Sequence, residues 1–536
     1  MNYGFVIDNR RCIGCHACTV VCKSEHEVAI GVNRTHVKYI EKGVFPDSSR
    51  SFSVHRCNHC EDAPCTEICP TSALYTRKDG IVDFDNDRCV GCKSCMQACP
   101  YDALYIDPDS NTAAKCNYCA HRVDGGYEPA CAVICPTEAI VAGDLDDPYA
   151  PIAKLVANED VVTRKPEKAT TPNLFYIDGD LDMLIPSQTE RRTNYIWSEQ
   201  ASGVGHHASA SAGTERESDE AKLLIQMAIE SHSKSGSQPD QRAIDKVLEE
   251  IKTQETEAAH RVYDAPSKGV LWGWEVPAYI WTKSIAAGLL LVLAIVQWLG
   301  GEPNTSKEMY AYSAALLAMF FTGGLLVKDL DRPDRFLYVL LRPNWSSWLV
   351  RGGYLISLLG AAITLLIADN FFDFGFRKLL INTTAPIAVA ATVYTAFLLK
   401  QARGRDMWAS HLGPVHMFIH ALISGSAVWM MLDPNGSNTF LLILRIGVLA
   451  NLILLGLEFM TSHASPDSKT AKRLMLKGYY SRYLYLGIIM GNVVPLIMLF
   501  TLDAVLMQLI AAVLATLGVY LTEFVRIRVP QLIPLS

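Results

Sequence analysis

Sixteen cysteines are the feature that most limits how this chain can fold. All of them lie between Cys12 and Cys135 of 536 residues. The first and third groups of four are spaced C-x2-C-x2-C-x3-C, the second C-x2-C-x4-C-x3-C and the fourth C-x2-C-x11-C-x3-C. The groups are Cys12, Cys15, Cys18, Cys22; Cys57, Cys60, Cys65, Cys69; Cys89, Cys92, Cys95, Cys99; and Cys116, Cys119, Cys131, Cys135. Because four thiolates hold one [4Fe–4S] cluster, the sequence predicts four such clusters with no thiol left over.

The end of each group carries a second signal. Proline follows the last cysteine in three groups, as in ferredoxin motifs, and the three copies continue alike as CPTSALY, CPYDALY and CPTEAIV. Lys23 follows the last cysteine of the first group instead. The internal repeat predicts duplicated ferredoxin units, with a hairpin turn at Asp79-Gly80.

Zinc and disulfide bonds are the alternative uses of these cysteines. Structural zinc sites also use C-x2-C pairs, but they seldom add a third cysteine two residues further on. Disulfides need an oxidising compartment, and the N-terminal MNYGFVIDNRR lacks the apolar region of a secretory signal. The pattern therefore favours iron–sulfur clusters. The net charge of −7 gives no reason to expect nucleic acid.

Long apolar runs dominate the chain after residue 270. A spanning helix needs about 20 mostly apolar residues, and eight runs qualify: 276–299, 309–328, 346–367, 380–400, 413–432, 439–460, 483–501 and 504–525. The fold class is therefore an α+β ferredoxin-like double module followed by an all-α membrane domain. We expect a four-cluster domain at 1–197, a linker with short amphipathic helices at 198–265 and an eight-helix membrane domain at 266–536. His206 and His207 lie in polar linker sequence, which predicts a solvated pair rather than a metal site.

Basic residues are divided unevenly between the two ends of the predicted spans. Eight crossings leave both ends of the domain on the side of the N-terminal head. Loops on that side carry eleven Lys and Arg, against three on the other side, Lys307, Arg377 and Lys378. Because these residues collect on the cytoplasmic face of the cell inner membrane, we expect the head and the C-terminus in the cytoplasm.

The cysteine spacings, including the x11 gap that contains CAHR and PAC, resemble those of the four-cluster electron-transfer subunit of molybdopterin oxidoreductases. The resemblance implies that the first group pairs with the fourth and the second with the third. The implied ligand sets are Cys12, Cys15, Cys18 with Cys135; Cys116, Cys119, Cys131 with Cys22; Cys57, Cys60, Cys65 with Cys99; and Cys89, Cys92, Cys95 with Cys69. Since cysteine stands at every ligand position, we expect four [4Fe–4S] clusters.

Three segments of the membrane half resemble the NrfD/polysulfide-reductase membrane subunit family: VLWGWEVPAYIWTKSIAAG at 270–288, VKDLDRPDRF at 327–336 and SSWLVRGGY at 346–354. The resemblance implies exchange of electrons with a quinone, menaquinone or ubiquinone, and no haem is expected. His416 and His420 are four residues apart on one helix face, whereas the two haem ligands usually come from different helices. We expect helix packing or quinone contact for this pair.

The family's quinone pocket lies near the start of the first span, which implies roles for Trp272, Trp274, Glu275 and Tyr279. Aromatic rings can form the slot and Glu275 can carry the proton, although relatives often have histidine or asparagine in this stretch. Lys283 lies about two helical turns further along, where a charge is costly and tends to be functional. We expect Lys283 to pair with a carboxylate from the set Glu458, Asp329 and Glu275.

Together these features predict an electron-transfer and quinone-reactive subunit of a membrane-bound oxidoreductase complex. Its clusters are expected to carry electrons between a cytoplasmic catalytic partner of the molybdopterin type and the quinone of the lipid bilayer, in respiration. We expect no substrate-specific catalytic site in this chain beyond the one for quinone. Two alternatives stay open: a redox-driven proton or ion pump that uses Lys283, Asp329 and Glu458, and a passive membrane anchor with an electron relay.

Overall fold

The structure is a computed structural model, and it describes residues 1–44, 46–185, 189–191, 259–265, 268–301, 305–434, 436, 438–460 and 465–536. Most of the predicted linker, with His206 and His207, lies outside the described residues. The iron–sulfur head contains seven helices and twelve strands within the described residues. The helices are α1 Ala17–Glu25, α2 Pro64–Ile68, α3 Ser94–Ala98, α4 Ala120–Val123, α5 Ala130–Val133, α6 Pro151–Asn158 and α7 Leu181–Leu184. The strands are β1 Tyr3–Asp8, β2 His36–Val44, β3 Asp47–His55, β4 Leu74–Thr76, β5 Val82–Phe84, β6 Leu104–Asp107, β7 Thr112–Lys115, β8 Ile140–Asp144, β9 Val161–Val162, β10 Leu174–Ile177, β11 Glu190–Arg191 and β12 His260–Tyr263.

Two four-stranded sheets frame the head. In the first, ordered β8-β1-β10-β9, β1 pairs in parallel with β10 and antiparallel with β8. The apolar run YGFVID of β1 is buried along nearly its whole length, as expected for a central strand covered on both faces. The second sheet is ordered β11-β12-β2-β3, and β12 comes from the end of the predicted linker. The chain therefore returns to the head before it enters the membrane domain.

Two copies of a helix–hairpin unit belong to the second and third cysteine groups. Helix α2 leads into the hairpin β4–β5, and α3 leads into the hairpin β6–β7. Gly80 lies in the turn between β4 and β5 with φ +79°, a conformation that glycine adopts at little cost. The hairpin predicted at Asp79-Gly80 is confirmed, and the repeated unit matches the internal repeat of the sequence.

Eight segments of the described residues are long and apolar enough to span a membrane, in agreement with the eight predicted runs. They are α8 Glu275–Trp298, α9 Thr305–Lys328, α11 Trp348–Phe372, α12 Arg377–Gln401, α13 Gly413–Leu432, α14 Asn438–Met460, the pair α16 Ser481–Ile488 and α17 Val494–Thr501 joined by a π-helical turn Ile489–Val493, and α18 Val505–Arg528. Two short helices, α10 Tyr338–Leu341 and α15 Pro466–Lys477, lie between spans.

Helix α8 is the centre of the membrane domain. It packs against α9, α12, α13 and α18, and 78% of its span is buried. The backbones of α8 and α13 approach closely at Gly288 and Gly425, where a Cβ on Gly288 would lie 2.0 Å from the carbonyl oxygen of Ala421. Small residues allow such an approach between membrane helices, so this contact depends on glycine.

The head and the membrane domain share one hydrophobic core. Leu271, Trp272 and Trp408 belong to the same buried cluster as the inner cysteines of the head, and the rings of Trp272 and Trp408 stack with centroids 5.3 Å apart. The C-terminus also returns to the head, where Lys38 donates to the Ser536 hydroxyl at 3.0 Å. Both ends of the membrane domain therefore face the head, as an even number of spans requires.

Candidate functional site

The cysteine groups interleave across the head. All sixteen are free thiols, and Cys15 alone among them is exposed. Burial is the main cause that raises the pKa of several cysteines, and the negative charge of a thiolate from a different group raises it further. Between the first and fourth groups, Cys135 raises the pKa of Cys12, and Cys22 raises that of Cys116. Between the second and third groups, Cys99 raises the pKa of Cys60 and Cys65, and Cys69 raises that of Cys89 and Cys92. The first group therefore lies beside the fourth and the second beside the third. The ligand sets implied by the resemblance are compatible with this arrangement.

One cavity of the head is bordered by four cysteines that the resemblance places in one ligand set. Its lining contains Cys69, Cys89, Cys92 and Cys95, with Lys93 beside them. Among the described residues, no three histidine, cysteine, aspartate or glutamate side chains converge closely enough to hold a single metal ion. The four thiols instead surround a space, as the ligands of the four iron atoms of a cubane cluster must.

Hydrogen-bond donors point at several of the thiols. The amide of Ala113 donates to Cys89 Sγ at 3.3 Å, and the amide of Ala139 donates to Cys135 Sγ at 3.2 Å. Burial opposes ionisation of Cys135, but hydrogen bonds from the backbone amides of Ile140 and Ala139 and from Thr137 outweigh it and lower the pKa of Cys135 below the usual value. Thiolate ligands of iron–sulfur clusters are stabilised by such donors, so the donor set of the head fits this cofactor.

The loop of the third cysteine group rests on the membrane domain. The amide of Asp331 donates to the Gly91 carbonyl at 3.2 Å, and Lys93 Nζ lies 3.4 Å from Asp331 Oδ1. Trp272 Nε1 donates to the Cys92 carbonyl at 3.2 Å. The third cysteine group is therefore joined directly to the segment that leads into α8.

A cavity of about 210 Å³ adjoins this loop, between α8, α9, α11 and α12. Its lining is mostly apolar and includes Cys92, Trp272, Tyr279, Gly323, Asp329, Gly353, Ser357 and Tyr394. Apolar walls with a few converging polar groups are typical of small-molecule sites. The cavity thus offers a slot for a flat ring, with hydroxyl groups and one carboxyl group available to carbonyl oxygens.

Asp329 supplies the carboxyl group of this lining. It lies just beyond the end of α9, and its side chain is 14% exposed. Burial raises the pKa of Asp329 to about 7, even though Lys93, 3.6 Å away, attracts the charged form. The Asp329 carboxyl is therefore able to take up and release a proton near neutral pH.

The residues predicted from the sequence are divided by the structure. Trp272 and Tyr279 line the cavity, whereas Trp274 and Glu275 do not. Lys328 Nζ lies 3.2 Å from Glu275 and 4.3 Å from the centroid of the Trp274 ring. Because Glu275 begins α8 and Lys328 ends α9, both charges stay at the ends of the spans, where long side chains reach polar surroundings.

Lys283 is fully buried, and its neighbours differ from those predicted. Its ammonium group donates to the Thr395 hydroxyl and, at 3.3 Å, to the Thr392 carbonyl. It also lies 4.2 Å from the centroid of the Tyr394 ring. Among the described residues, none of the three expected carboxylates pairs with it: Glu275 contacts Lys328, Asp329 contacts Lys93 and Glu458 contacts Arg526. The expected carboxylate partner is wrong because α12 surrounds the ammonium group with a hydroxyl, a carbonyl and an aromatic face.

A second buried polar group, here called the histidine–glutamate cluster, joins α13, α14 and α18. His416 lies 3.3 Å from Glu458, and His420 lies 3.1 Å from Glu523. Arg526 connects the two pairs, at 3.2 Å from Glu458 and 3.1 Å from Glu523. Ionisable groups inside a membrane domain are costly and mark functional paths.

The cluster continues towards the π-helical turn. His420 Nε2 lies 3.1 Å from Asn451 Oδ1, and Asn451 donates to Asn492 at 2.8 Å. Asn492 lies within the π-helical turn Ile489–Val493, a local geometry that is frequent at functional sites. The predicted contact of His416 and His420 with quinone is not seen at the cavity, since neither residue lines it.

The sequence missed Tyr394 and the glycines of the cavity. Tyr394 stands in a mixed apolar and hydroxyl stretch of α12, where nothing distinguishes it from a packing residue. The sequence interpretation assigns Asp329, within VKDLDRPDRF, to pairing with Lys283 or to proton pumping and not to the quinone pocket. The sequence-based choice of Glu275 instead followed the start of α8.

The head is similar to iron–sulfur subunits of several reductases. The iron–sulfur region is 42% identical over 178 residues to a polysulfide reductase chain of Wolinella succinogenes, covering 33% of this protein and 93% of the relative. It is 39% identical over 201 residues to a tetrathionate reductase subunit of Salmonella typhimurium, covering 37% and 80%. It is 34% identical over 225 residues to the arsenate respiratory reductase iron-sulfur subunit of a Shewanella species, covering 33% and 96%.

Fold and site together define an integral membrane electron-transfer protein, in which an iron–sulfur head is fused to an eight-helix bundle. Residues 49–145 match the 4Fe-4S dicluster domain, and residues 264–534 match the family described as polysulphide reductase, NrfD. The chain therefore belongs to the NrfD family. It is an iron–sulfur electron-transfer subunit of an oxidoreductase complex, fused to a quinone-interacting membrane domain. The iron–sulfur interpretation is confirmed over zinc and disulfides.

Proposed function

We propose that the chain carries electrons through four [4Fe–4S] clusters between a molybdopterin-type catalytic subunit and a quinone bound in the cavity beside Cys92. The observation that carries this proposal is the position of Cys92, which borders both the cavity of its ligand set and the membrane cavity. An electron that reaches the cluster held by Cys92 is then separated from the quinone ring only by the Cys92 side of the cavity wall. The four ligand sets are those given by the sequence, with three cysteines from one group and one from its partner group.

The opposite end of the electron path lies at the surface of the head. Cys15 is exposed, and four apolar side chains near the first and fourth groups are exposed as well: Ile13, Val20, Val133 and Ile134. Exposed apolar residues that cluster together are typical of interaction sites. We assign this surface to the catalytic subunit, whose substrate determines the reaction of the whole complex.

Reduction of quinone to quinol takes two electrons and two protons. The clusters supply the electrons one at a time, and the cavity must supply the protons. Asp329 holds a proton near neutral pH and faces the cavity, so it donates to one carbonyl oxygen. Tyr279 and Tyr394 also line the cavity, and one of their hydroxyl groups donates the second proton to the other carbonyl oxygen. Lys283 does not line the cavity. It positions Tyr394, because the contact of its ammonium group with the Tyr394 ring holds that ring in the cavity wall.

The head faces the cytoplasm in this proposal. Four of the eleven basic residues on the head side, Arg332, Arg335, Arg403 and Arg405, contact the head, so part of the charge bias serves docking. The other seven still outnumber the three on the far side, which supports a cytoplasmic head. An epitope inserted after Gly375, in the far-side turn, is expected to bind antibody on intact spheroplasts. If the antibody binds only after the spheroplasts are lysed, the epitope lies in the cytoplasm and this orientation is wrong.

Two adjacent glycines of α9 provide the test of the quinone site. Gly323 lines the cavity, whereas Gly324 is exposed and does not, and an added Cβ meets no atom within 4 Å at either position. Both substitutions to leucine improve helix propensity by up to about 1 kcal/mol, so both variants should fold. Gly323→Leu is expected to lower quinone reduction by purified protein at least tenfold, with iron content unchanged, and Gly324→Leu is expected to retain it. Equal rates in the two variants contradict the assignment.

The histidine–glutamate cluster favours a second candidate function, translocation of protons coupled to quinone chemistry. The cluster joins three spans through ionisable groups that the cavity does not use. Reconstituted vesicles with quinone and a reductant are expected to move more protons than the two that quinol formation consumes. Glu523→Gln should remove the surplus and keep the rate of quinone reduction. A wild-type stoichiometry with no surplus protons rules this function out.

A further inference from the structure

The guanidinium group of Arg56 is buried in the head without a carboxylate. The residue is 1% exposed and immediately precedes Cys57. Its Nε and Nη2 atoms have no hydrogen-bond partner, and in the described part of the chain no aspartate or glutamate forms an ion pair with it. Burying a charge that lacks a counter-charge costs several kcal/mol. Such a residue requires a negative charge of another kind nearby.

The contacts of Arg56 are with thiols and an aromatic ring. Its Nη1 atom donates to Cys131 Sγ at 2.9 Å, and its guanidinium carbon lies 4.6 Å from the centroid of the Phe5 ring. Burial lowers the pKa of Arg56, but the charges of Cys131, Cys18 and Cys116 outweigh this and raise it. Arg56 is therefore held between the first and fourth cysteine groups, which supply the two outer ligand sets.

A buried cation at this position acts on the reduction potentials of nearby clusters. A [4Fe–4S] cluster with four thiolate ligands is negatively charged, and its reduction adds one more negative charge. Net charge and hydrogen bonds to the sulfurs are among the factors that set cluster potentials. A positive charge nearby stabilises the reduced form more than the oxidised form, and an N–H···S hydrogen bond acts in the same direction.

We propose that Arg56 sets the reduction potentials of the two outer clusters, and that its charge makes both easier to reduce than the same ligand sets without it. The inference rests on the ligand sets proposed above. The two outer clusters, which lie at the exposed Cys15 end of the head, then hold electrons at a higher reduction potential than they would without Arg56. Arg56 acts through the thiolates, without contact to quinone.

Two substitutions at this position separate charge from shape. Arg56→Met removes the charge and keeps an elongated side chain, whereas Arg56→Lys keeps the charge. Arg164→Met is the control, because Arg164 is equally buried but donates to the Leu184 carbonyl at 2.9 Å and has no described contact with a thiol. The potentials of the clusters in each purified, iron-loaded protein are measured by redox titration monitored by electron paramagnetic resonance.

Arg56→Met is expected to lower the reduction potentials of two clusters. At a fixed potential the ratio of reduced to oxidised form should fall at least tenfold, which corresponds to a shift of about 59 mV for one electron. The other two clusters should keep their potentials, as should all clusters of Arg164→Met, and Arg56→Lys should recover most of the shift. Loss of the outer clusters in Arg56→Met alone, with retention in Arg56→Lys, also supports a need for the charge.

Three results overturn the proposal. One is an Arg56→Met protein that keeps its full iron content and whose ratio of reduced to oxidised cluster at a given potential stays within threefold of the wild-type ratio. Another is an equal shift in Arg164→Met, and the third is equal loss of clusters in Arg56→Met and Arg56→Lys. Quinone reduction is measured in parallel, so a failure of the proposed quinone function leaves the cluster potentials interpretable on their own.

Discussion

Replacement of Asp329 with asparagine tests the chemistry of the membrane cavity most directly. Asp329 lines the cavity, and burial raises its pKa from 3.8 to about 7. A shift of about three pKa units corresponds to about 4 kcal/mol in favour of the protonated carboxyl group. The asparagine side chain has nearly the same shape and hydrogen-bonding atoms but has no acidic proton to donate.

The sign of the pH dependence follows from the raised pKa. Below pH 7 the Asp329 carboxyl group keeps its proton and donates it to the quinone, and above pH 7 it loses that proton. The wild-type rate of quinone reduction is therefore expected to fall about tenfold for each pH unit above 7. Asp329→Asn should give a low rate that lacks this decline. Lys93→Met removes the attraction that favours the charged carboxylate, so the decline should move to higher pH.

The assay is steady-state reduction of a short-chain quinone by purified protein, with an artificial donor that reduces the clusters, between pH 5.5 and 9. Asp331→Asn is the matched control, because Asp331 also contacts Lys93 but does not line the cavity. This control should keep the decline but move it to lower pH, because the Asp331 charge contributes to the raised pKa of Asp329. An Asp329→Asn protein with the wild-type rate and the same decline above pH 7 refutes the proton-donor role.

Three further outcomes follow from other contacts. Arg377→Gln leaves the fully buried Glu308 without its ion-pair partner, so it should destabilise the membrane domain by about 3–5 kcal/mol and lower the thermal midpoint measured in detergent. Gly91→Ala places a Cβ 2.7 Å from Asp331 Cβ, at a residue with φ +66°. Quinone reduction should fall while the iron content stays constant, and an unchanged rate speaks against electron transfer through the loop of the third cysteine group. Glu275→Gln should retain most quinone reduction, because Glu275 lies outside the cavity; a complete loss restores the role that the sequence suggested.

Local patterns were sufficient to predict the cofactor and the architecture. In three of the four proposed sets, three ligands come from one short stretch of chain, so the spacing of those cysteines follows the geometry of the cluster directly. Spanning helices are equally local, because each must satisfy its own backbone hydrogen bonds across the bilayer. The predicted runs accordingly overlap all eight candidate membrane spans of the described residues.

The cavity is assembled from distant parts of the chain. Its wall combines Cys92 of the head with Tyr279, Asp329 and Tyr394 of three different spans or their ends. Each of these residues has an ordinary neighbourhood in the sequence, and their meeting depends on how the helices pack. The sequence therefore located the correct end of α8 but selected Glu275, whose charge Lys328 holds at the end of the spans.

The sequence by itself determined the iron–sulfur cofactor, the eight spans and the NrfD family, since these depend on spacing and on runs of apolar residues. Only the tertiary structure decided which cysteine group faces the membrane, which carboxyl group faces the cavity, and that Lys283 contacts the Tyr394 ring rather than a carboxylate. The physical reason is that burial and charge pairing arise between elements far apart in the chain. Their energies depend on distances that no local pattern contains.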